Sequence, residues 1–149
     1  MELHDPICSV LKFKGGDIWS VPPRVSVYEA IETMSERQVG ALPVMEDGRL
    51  VGIISERDYA RRVILKGRSS KDTQVAEIMT SPVIYVTPDE TVEACMRIMT
   101  SNRVRHLPVV EHEKVVGIVS IGDLVNWIIS AQADAINQLN SYITGNYPG

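Results

Sequence analysis

The chain has 149 residues, enough for one compact domain or for two half-size units that share a core. Its 15 Lys and Arg against 19 Asp and Glu give a net charge of −4, which argues against a general nucleic-acid binder. Only Cys8 and Cys95 occur, without a CxxC pair, so neither a disulfide framework nor a zinc site is indicated. No signal-peptide pattern and no apolar run of membrane-spanning length is present, so we expect a cytoplasmic protein without membrane contact.

An internal duplication organises the chain. Shifted by 65 positions, residues 21–58 align without a gap with residues 86–123, and 14 of the 38 pairs are identical. The duplication predicts a first unit at 1–66 that includes the N-terminal segment and a second unit at 74–130. The polar stretch at 67–73 is the predicted linker, and residues 131–149 form a predicted helical extension.

The predicted elements follow the same order in both copies. A short strand at 18–21 ends at two prolines, and a helix capped by Ser26 follows, with apolar residues at helical spacing. Two apolar runs at 41–45 and 50–54, joined by a turn that contains glycine, predict a hairpin, and a second helix comes after it. The corresponding residues of the second copy repeat this pattern.

Each unit is therefore predicted to be βαββα, in the α+β class. A unit of this size is only marginally stable alone, because it buries too little surface to offset its chain entropy. We expect the two units to pack face to face with pseudo-twofold symmetry, which generates two equivalent clefts. Apolar residues from Ala135 to Ile143 predict an extended C-terminal helix that ends at Gly145.

One motif closes the hairpin in each copy: GIISERD at 52–58 and GIVSIGD at 117–123. Serine followed three residues later by a carboxylate is a capping-box pattern, and close strand packing would explain the glycine. Retention of the same serine and aspartate in both copies favours a further role, because capping alone tolerates other residues. Helix N-termini bind anions, and a carboxylate beside them suits a ribose diol.

The sequence resembles a tandem pair of cystathionine-β-synthase (CBS) domains, the arrangement called a Bateman module, and especially small stand-alone CBS-pair proteins. The resemblance rests on the paired helix starts SVYEA and TVEAC, the paired LPV strands and the paired Gly-x-x-Ser-x-x-Asp segments, and covers nearly the whole chain. It implies clefts that bind adenosine-containing ligands: AMP, ADP, ATP, NAD-type dinucleotides or S-adenosylmethionine. It implies further that Ser55 and Asp58 serve one cleft and Ser120 and Asp123 the other, with each carboxylate on ribose hydroxyls and each serine near phosphate.

Two further groups of site residues follow from the resemblance. The candidates for phosphate contact are Arg57, Arg103, Arg105 and His106, for which a solvated helix face is the alternative interpretation. The candidates for the adenine side are Ile18, Trp19, Ser20, Val83, Ile84 and Tyr85.

The function expected from these residues is that of a non-catalytic sensor of adenine nucleotides. We expect a homodimer that acts on a regulated protein whose identity the residues do not reveal. No metal is expected, because the three histidines lack ligand spacing to cysteines or carboxylates. The alternative is a ligand-independent structural or dimerisation module. A stand-alone enzyme is less favoured, since no nucleophile lies in a recognisable catalytic motif.

Overall fold

The computed structural model describes residues 2–143, and its helices and strands appear twice in nearly the same order. In chain order they are α1 (Ile7–Lys14), α2 (Val27–Arg37), β1 (Ala41–Glu46), β2 (Arg49–Ser55), α3 (Glu56–Tyr59), α4 (Val75–Ile78), α5 (Val92–Asn102), β3 (His106–Glu111), β4 (Lys114–Ser120) and α6 (Ile121–Ile143). Residues Ala60–Ile64 continue α3 as a single π-helical turn. The two-stranded sheets β1–β2 and β3–β4 and the surrounding helices confirm the predicted α+β class.

The helix that precedes each hairpin starts where the sequence predicts it. The hydroxyl of Ser26 accepts from the backbone N–H of Glu29 at 3.1 Å, which satisfies a free amide in the first turn of α2. Thr91 caps α5 in the same way through the N–H of Ala94, also at 3.1 Å. Cys95 lies on the buried face of α5, and burial raises the pKa of its thiol to about 11, so this cysteine serves as an apolar core residue.

The hairpins share one register. Ala41 pairs with Ser55 in the first and His106 with Ser120 in the second, and each carries one bulge, between Val44 and Met45 in the first. Asp47 and Gly48 both take positive φ, 51° and 77°, which is the two-residue turn that fits the strand twist. Because each hairpin runs straight into a helix, its last residue is also a helix cap.

The predicted first strand of each unit is reduced to a single bridging residue, which is the main departure from the predicted βαββα order. Val21 donates to the carbonyl of Pro43 at 3.1 Å and accepts from Met45 at 2.9 Å, and Val86 makes the equivalent bonds to the second hairpin. The next N–H of each ladder would come from Pro23 and from Pro88, and proline has none.

The N-terminal helix belongs to the core of the second unit. Ile7 and Val10 on α1 pack with Val92, Leu107 and Leu124 of that unit. In the first unit the same place is taken by α4, whose Val75 and Ile78 pack with its core. Each half of the chain thus contributes its leading helix to the opposite core.

The backbone bonds of the two exchanged helices are equivalent. Ile7 donates to the carbonyl of Glu90 at 2.7 Å, and Val75 donates to Val25 at 2.9 Å. The predicted boundaries, with the first unit ending at 66, the linker at 67–73 and the second unit starting at 74, stay a prediction. The packing of the two cores crosses these boundaries in both directions. The segment predicted as the linker also packs: Thr73 is buried, and its hydroxyl donates to the carbonyl of Ser69 at 2.7 Å.

The C-terminal extension continues the last helix of the second unit without a break, since α6 runs for 23 residues. Its start is anchored by buried Leu124 and Trp127, and the indole of Trp127 donates to the carbonyl of Glu2 at 3.1 Å. Farther along, the apolar side chains are exposed: Ile136, Leu139, Tyr142 and Ile143. The predicted stop at Gly145 lies outside the described residues.

Candidate functional site

A cleft of about 720 Å³ lies between the two units, within the size range of small-molecule sites. The motif of the first unit forms one wall, and the start of β3 with the turn before it forms the other. The lining residues are Gly40, Ile53, Ser55, Glu56, Arg57, Asp58, Arg61, Arg62, Thr80, Asn102, Arg103, Val104, Arg105 and His106. This first cleft therefore brings together Ser55, Asp58 and every candidate for phosphate contact.

Ser55 and Asp58 form a complete capping box at the mouth of the first cleft. The N–H of Asp58 donates to the hydroxyl of Ser55 at 3.2 Å, and the carboxylate accepts from the N–H and hydroxyl of Ser55, both at 3.0 Å. The other carboxylate oxygen accepts from the hydroxyl of Thr80 at 3.1 Å. A carboxylate offers about four acceptor positions, so this network leaves room for an incoming hydroxyl.

The cations of the cleft come from both units. Arg57 bridges the units, because its guanidinium donates to the carbonyl of Arg103 at 2.9 Å. Arg62 donates at 2.8 Å to the carbonyl of Ile78 at the end of α4. Arg103 takes a left-handed conformation, φ 54°, at the end of α5, and Arg105 is exposed beside it. Five arginines in one groove make its potential strongly positive, which attracts anions.

His106 lies at the point where the two clefts approach each other. It is the first residue of β3, and its ring nitrogen is so close to Gly40 that a β-carbon there would lie 3.2 Å from it. Burial lowers the pKa of His106, and the positive charge of Lys14 lowers it further, while Asp123 acts in the opposite direction. The imidazole is therefore neutral at neutral pH.

The second cleft differs in size and in lining. It has a volume of about 310 Å³ and includes Lys14, Trp19, Arg37, Val39 and Ile118 in its walls. Ser120 and Asp123 make the same capping contacts as their counterparts, with Ser120 N–H to carboxylate at 2.8 Å and Asp123 N–H to hydroxyl at 3.1 Å. They are not among the residues that line this cavity, and the ammonium of Lys14, which does line it, lies 2.8 Å from the carboxylate of Asp123.

The candidates for the adenine side are divided between the clefts. Ile18 and Trp19 line the second cleft, and the guanidinium carbon of Arg37 lies 3.8 Å from the centre of the Trp19 ring. Ser20 is exposed next to them. Val83, Ile84 and Tyr85 are outside the set of described residues that line either cleft, and Tyr85 is 56% exposed. Their role on the adenine side stays a prediction.

Two residues that contact the carboxylate of a repeated motif were not predicted from the sequence: Thr80 in the first cleft and Lys14 in the second. Lys14 ends one exchanged helix and Thr80 follows the other, and the 65-residue repeat does not cover either helix. A second repeat with a shift of 68 positions contains the signal, since Ile7, Val10 and Leu11 match Val75, Ile78 and Met79. A search that allowed a gap of three residues before the first strand would have found it.

The fold and the clefts define a class: paired α+β units, duplicated in one chain, with grooves between them. A family model described as the CBS domain matches residues 15–65 and 75–130. The matched segments cover most of the chain, so the protein belongs to the CBS-domain family as a tandem pair. The predicted resemblance is confirmed.

Known proteins of this family are similar over most of the chain. The mitochondrial CBS domain-containing protein CBSX3 of Arabidopsis thaliana is 42% identical over 151 residues, which cover 95% of this chain and 73% of the relative. A putative signal-transduction protein with CBS domains from Burkholderia ambifaria is 45% identical, with a TM-score of 0.81, over 85% of this chain and 96% of that one.

One solved neighbour contains adenosine-type ligands. The CBS domain pair of protein MJ0100, in complex with 5′-methylthioadenosine and S-adenosyl-L-methionine, is 26% identical with a TM-score of 0.76. The match covers 85% of this chain and 97% of that one.

Each helix within residues 2–143 is too short or too polar to cross a bilayer.

Proposed function

We propose that this CBS pair is a non-catalytic regulatory module whose first cleft binds an adenine nucleotide: AMP, ADP, ATP or an NAD-type dinucleotide. The observation that carries the proposal is the meeting of a hydroxyl and a carboxylate, Ser55 and Asp58, with five arginines and His106 in one groove between the units. In this proposal Asp58 accepts from the ribose hydroxyls, while Arg57 and Arg105 contact phosphate.

The charge of the cleft selects among adenosine-containing ligands. Guanidinium groups bind phosphate with charge-assisted, often paired hydrogen bonds, and these are stronger than neutral ones. S-adenosylmethionine carries a sulfonium cation and no phosphate, so the same arginines disfavour it. The neighbour with S-adenosyl-L-methionine supports the adenosine part of the proposal, and the arginines of this chain support the phosphate part.

A thermal-shift panel of AMP, ADP, ATP, NAD, NADH and S-adenosylmethionine tests the proposal. A ligand that binds only the native state raises stability by about 2.7 kcal/mol at a hundredfold excess over Kd. We expect stabilisation by at least one nucleotide and little by S-adenosylmethionine. If no nucleotide raises the melting temperature, the proposal is wrong.

Two substitutions assign the effect to the first cleft. Arg105→Met should weaken nucleotide binding by about tenfold or more, because it removes a charge-assisted contact to phosphate. The matched control is Arg97→Met, since Arg97 is exposed on α5, pairs with Glu93 at 2.6 Å and does not line the cleft. Equal affinity of the two variants, measured by calorimetry, would contradict the assignment.

The proposal includes a homodimer that passes the bound state to a partner protein. Support comes from the apolar side chains that the fold leaves exposed on α6, of which Ile136 and Leu139 are each 58% exposed. Light scattering should give twice the chain mass of 16.5 kDa. Ile136→Glu should lower that mass toward the monomer, with Gln138→Glu on the same helix as the matched control.

The cytoplasmic location stays a prediction, as does the regulated partner.

A ligand-independent structural module is the second candidate, and the complete capping boxes favour it. Both Ser55 and Ser120 bond the N–H of the aspartate three residues on, so the motif already has a structural role. Under this function Ser55→Ala would cost about 1 kcal/mol of stability and leave nucleotides without effect. The thermal-shift panel separates the two candidates.

A further inference from the structure

We propose that the second cleft is occupied by the chain's own cations, so that nucleotide fills the first cleft alone and enters the second only when Lys14 leaves Asp123. This inference rests on the proposed nucleotide binding in the first cleft. It concerns the order in which the clefts fill and the number of ligands that one chain holds.

Lys14 contacts the carbonyl and the carboxylate that correspond to those contacted by Thr80 in the first unit. The backbone N–H of Thr80 donates to the carbonyl of Ile53 at 2.9 Å, and its hydroxyl donates to Asp58 at 3.1 Å. In the second unit the ammonium of Lys14 makes both bonds at once, to the carbonyl of Ile118 at 2.9 Å and to Asp123 at 2.8 Å. One flexible cation thus replaces a backbone group and a hydroxyl.

The two aspartates therefore differ in the charge of the donor that a ribose hydroxyl would replace at the position of Thr80 or Lys14. The hydrogen bonds of Asp58 described above come from neutral donors, and a neutral ribose hydroxyl can join or replace them without a change of charge. Asp123 is paired with an ammonium, and its side chain is only 19% exposed, so the pair is partly shielded from water. A ribose that takes this place must separate an ion pair, which is costlier than the exchange of one hydroxyl for another.

A second cation covers the aromatic ring of the same cleft. The guanidinium of Arg37 lies over Trp19 at cation–π distance, on a ring that would otherwise offer a face for a nucleobase. With Lys14 on the carboxylate and Arg37 on the ring, the second cleft measures about 310 Å³ against about 720 Å³ for the first. Lys14 is the last residue of α1, and Gly15 and Gly16 follow with positive φ, so the chain turns away at once.

Calorimetric titration with AMP and with ATP tests the inference through the number of ligands bound per chain. The native protein should bind one. Lys14→Met with Arg37→Met keeps an unbranched side chain at both positions but removes the charge, and this double variant should bind two. The matched control, Lys12→Met with Arg97→Met, removes two exposed charges elsewhere and should bind one.

Two aspartate variants assign each ligand to a cleft. Asp58→Ala should abolish binding in the native background, and Asp123→Ala in the double variant should return the number from two to one. Two ligands on the native protein, or one on the double variant, would overturn the inference while the proposed function stands. Binding to the double variant alone would overturn the proposed function of the first cleft and, with it, the order of filling, and binding to neither protein would overturn both. Circular dichroism confirms that each variant is folded.

Discussion

At positions 52 and 117, close contact with a neighbouring side chain requires glycine, and backbone conformation does not. A β-carbon at Gly52 would lie 2.5 Å from the sulfur of Met79, and one at Gly117 would lie 2.6 Å from a methyl of Leu11. Leu11 lies on α1, and Met79 directly follows α4. The glycine of the repeated motif thus lets a helix from the other half of the chain approach the hairpin, which is the close-packing interpretation of the sequence.

Gly52→Ala should therefore destabilise the protein by about 1–3 kcal/mol, because the added methyl overpacks the contact with Met79. Denaturant unfolding measures the change. Gly122→Ala is the control, since its added carbon would meet only the hydroxyl of Ser120 at 3.6 Å, and it should leave the stability nearly unchanged. In the double variant Gly52→Ala/Met79→Ala the two costs should fail to add, because the residues touch; additive costs would contradict the steric explanation.

His106 should make stability depend on pH in the acid range. Its pKa in the folded protein is lowered from 6.5 by burial and by Lys14, so below about pH 6.5 the unfolded chain takes up a proton that the native protein does not. The contribution of His106 to the free energy of unfolding is fully present above about pH 6.5 and is lost as the pH falls through the lowered pKa. The sign follows from the greater number of protons on the unfolded state.

The comparison of native protein with His106→Gln tests this dependence. Glutamine does not titrate, so the free energy of unfolding of the native protein should fall relative to the variant as the pH is lowered from about 7.5 to about 5.5. The exposed His112 provides the control, because His112→Gln should keep the acid-side loss. Parallel curves for the native protein and His106→Gln would contradict the prediction.

At the scale of elements, the position of α1 is the feature with the largest energetic consequence. Ile7 has 0% exposure inside the second core, although the chain places it before the first unit. Ile7→Ala should cost about 2–5 kcal/mol in denaturant unfolding, which is the usual range for a buried isoleucine cut to alanine. Leu3→Ala, at a residue 43% exposed, should cost less than about 0.5 kcal/mol. Similar small costs for both would show that α1 does not stabilise the second core.

The elements that local chemistry determines were predictable from the sequence. Caps at Ser26 and Thr91, the turn at Asp47 and Gly48 and the apolar strands all depend on residues within a few positions of each other. The first strands were wrong as regular strands, because Pro23 and Pro88 cannot donate the next bond of each ladder. The packing of α1 in the second core was not predictable from local pattern, since the sequence of a short amphipathic helix does not indicate which core it packs against.

At the scale of the whole molecule, the exchange of helices ties the two cores together. Trp19 packs against the first core and Trp127 lies in the second, so each tryptophan reports on one unit. Because each half of the chain contributes a helix to both cores, we expect Trp19→Phe and Trp127→Phe to show the same denaturant midpoint by fluorescence as by circular dichroism. Two separate midpoints would show that the units unfold independently.

The duplicated motif predicted the place of the clefts but not the contact of Lys14 with Asp123 that distinguishes them. Ser55 and Asp58 lie in the first cleft with the arginines, as the resemblance implied, and their contact with ligand stays a prediction. Asp123 has the same sequence context, yet a lysine from a distant helix meets its carboxylate. Such tertiary contacts depend on packing between segments about a hundred residues apart, and the spacing of residues within a motif does not encode them.

The reciprocal exchange of α1 and α4 bears on how such a molecule arose. A single ancestral copy, made on its own, would lack the helix that closes its core, and two copies trading their leading helices would each be complete. Gene fusion of that pair would turn an exchange between chains into one within a chain. After such a fusion the two halves would be free to diverge, and the different donors at Asp58 and Asp123 are a difference of that kind.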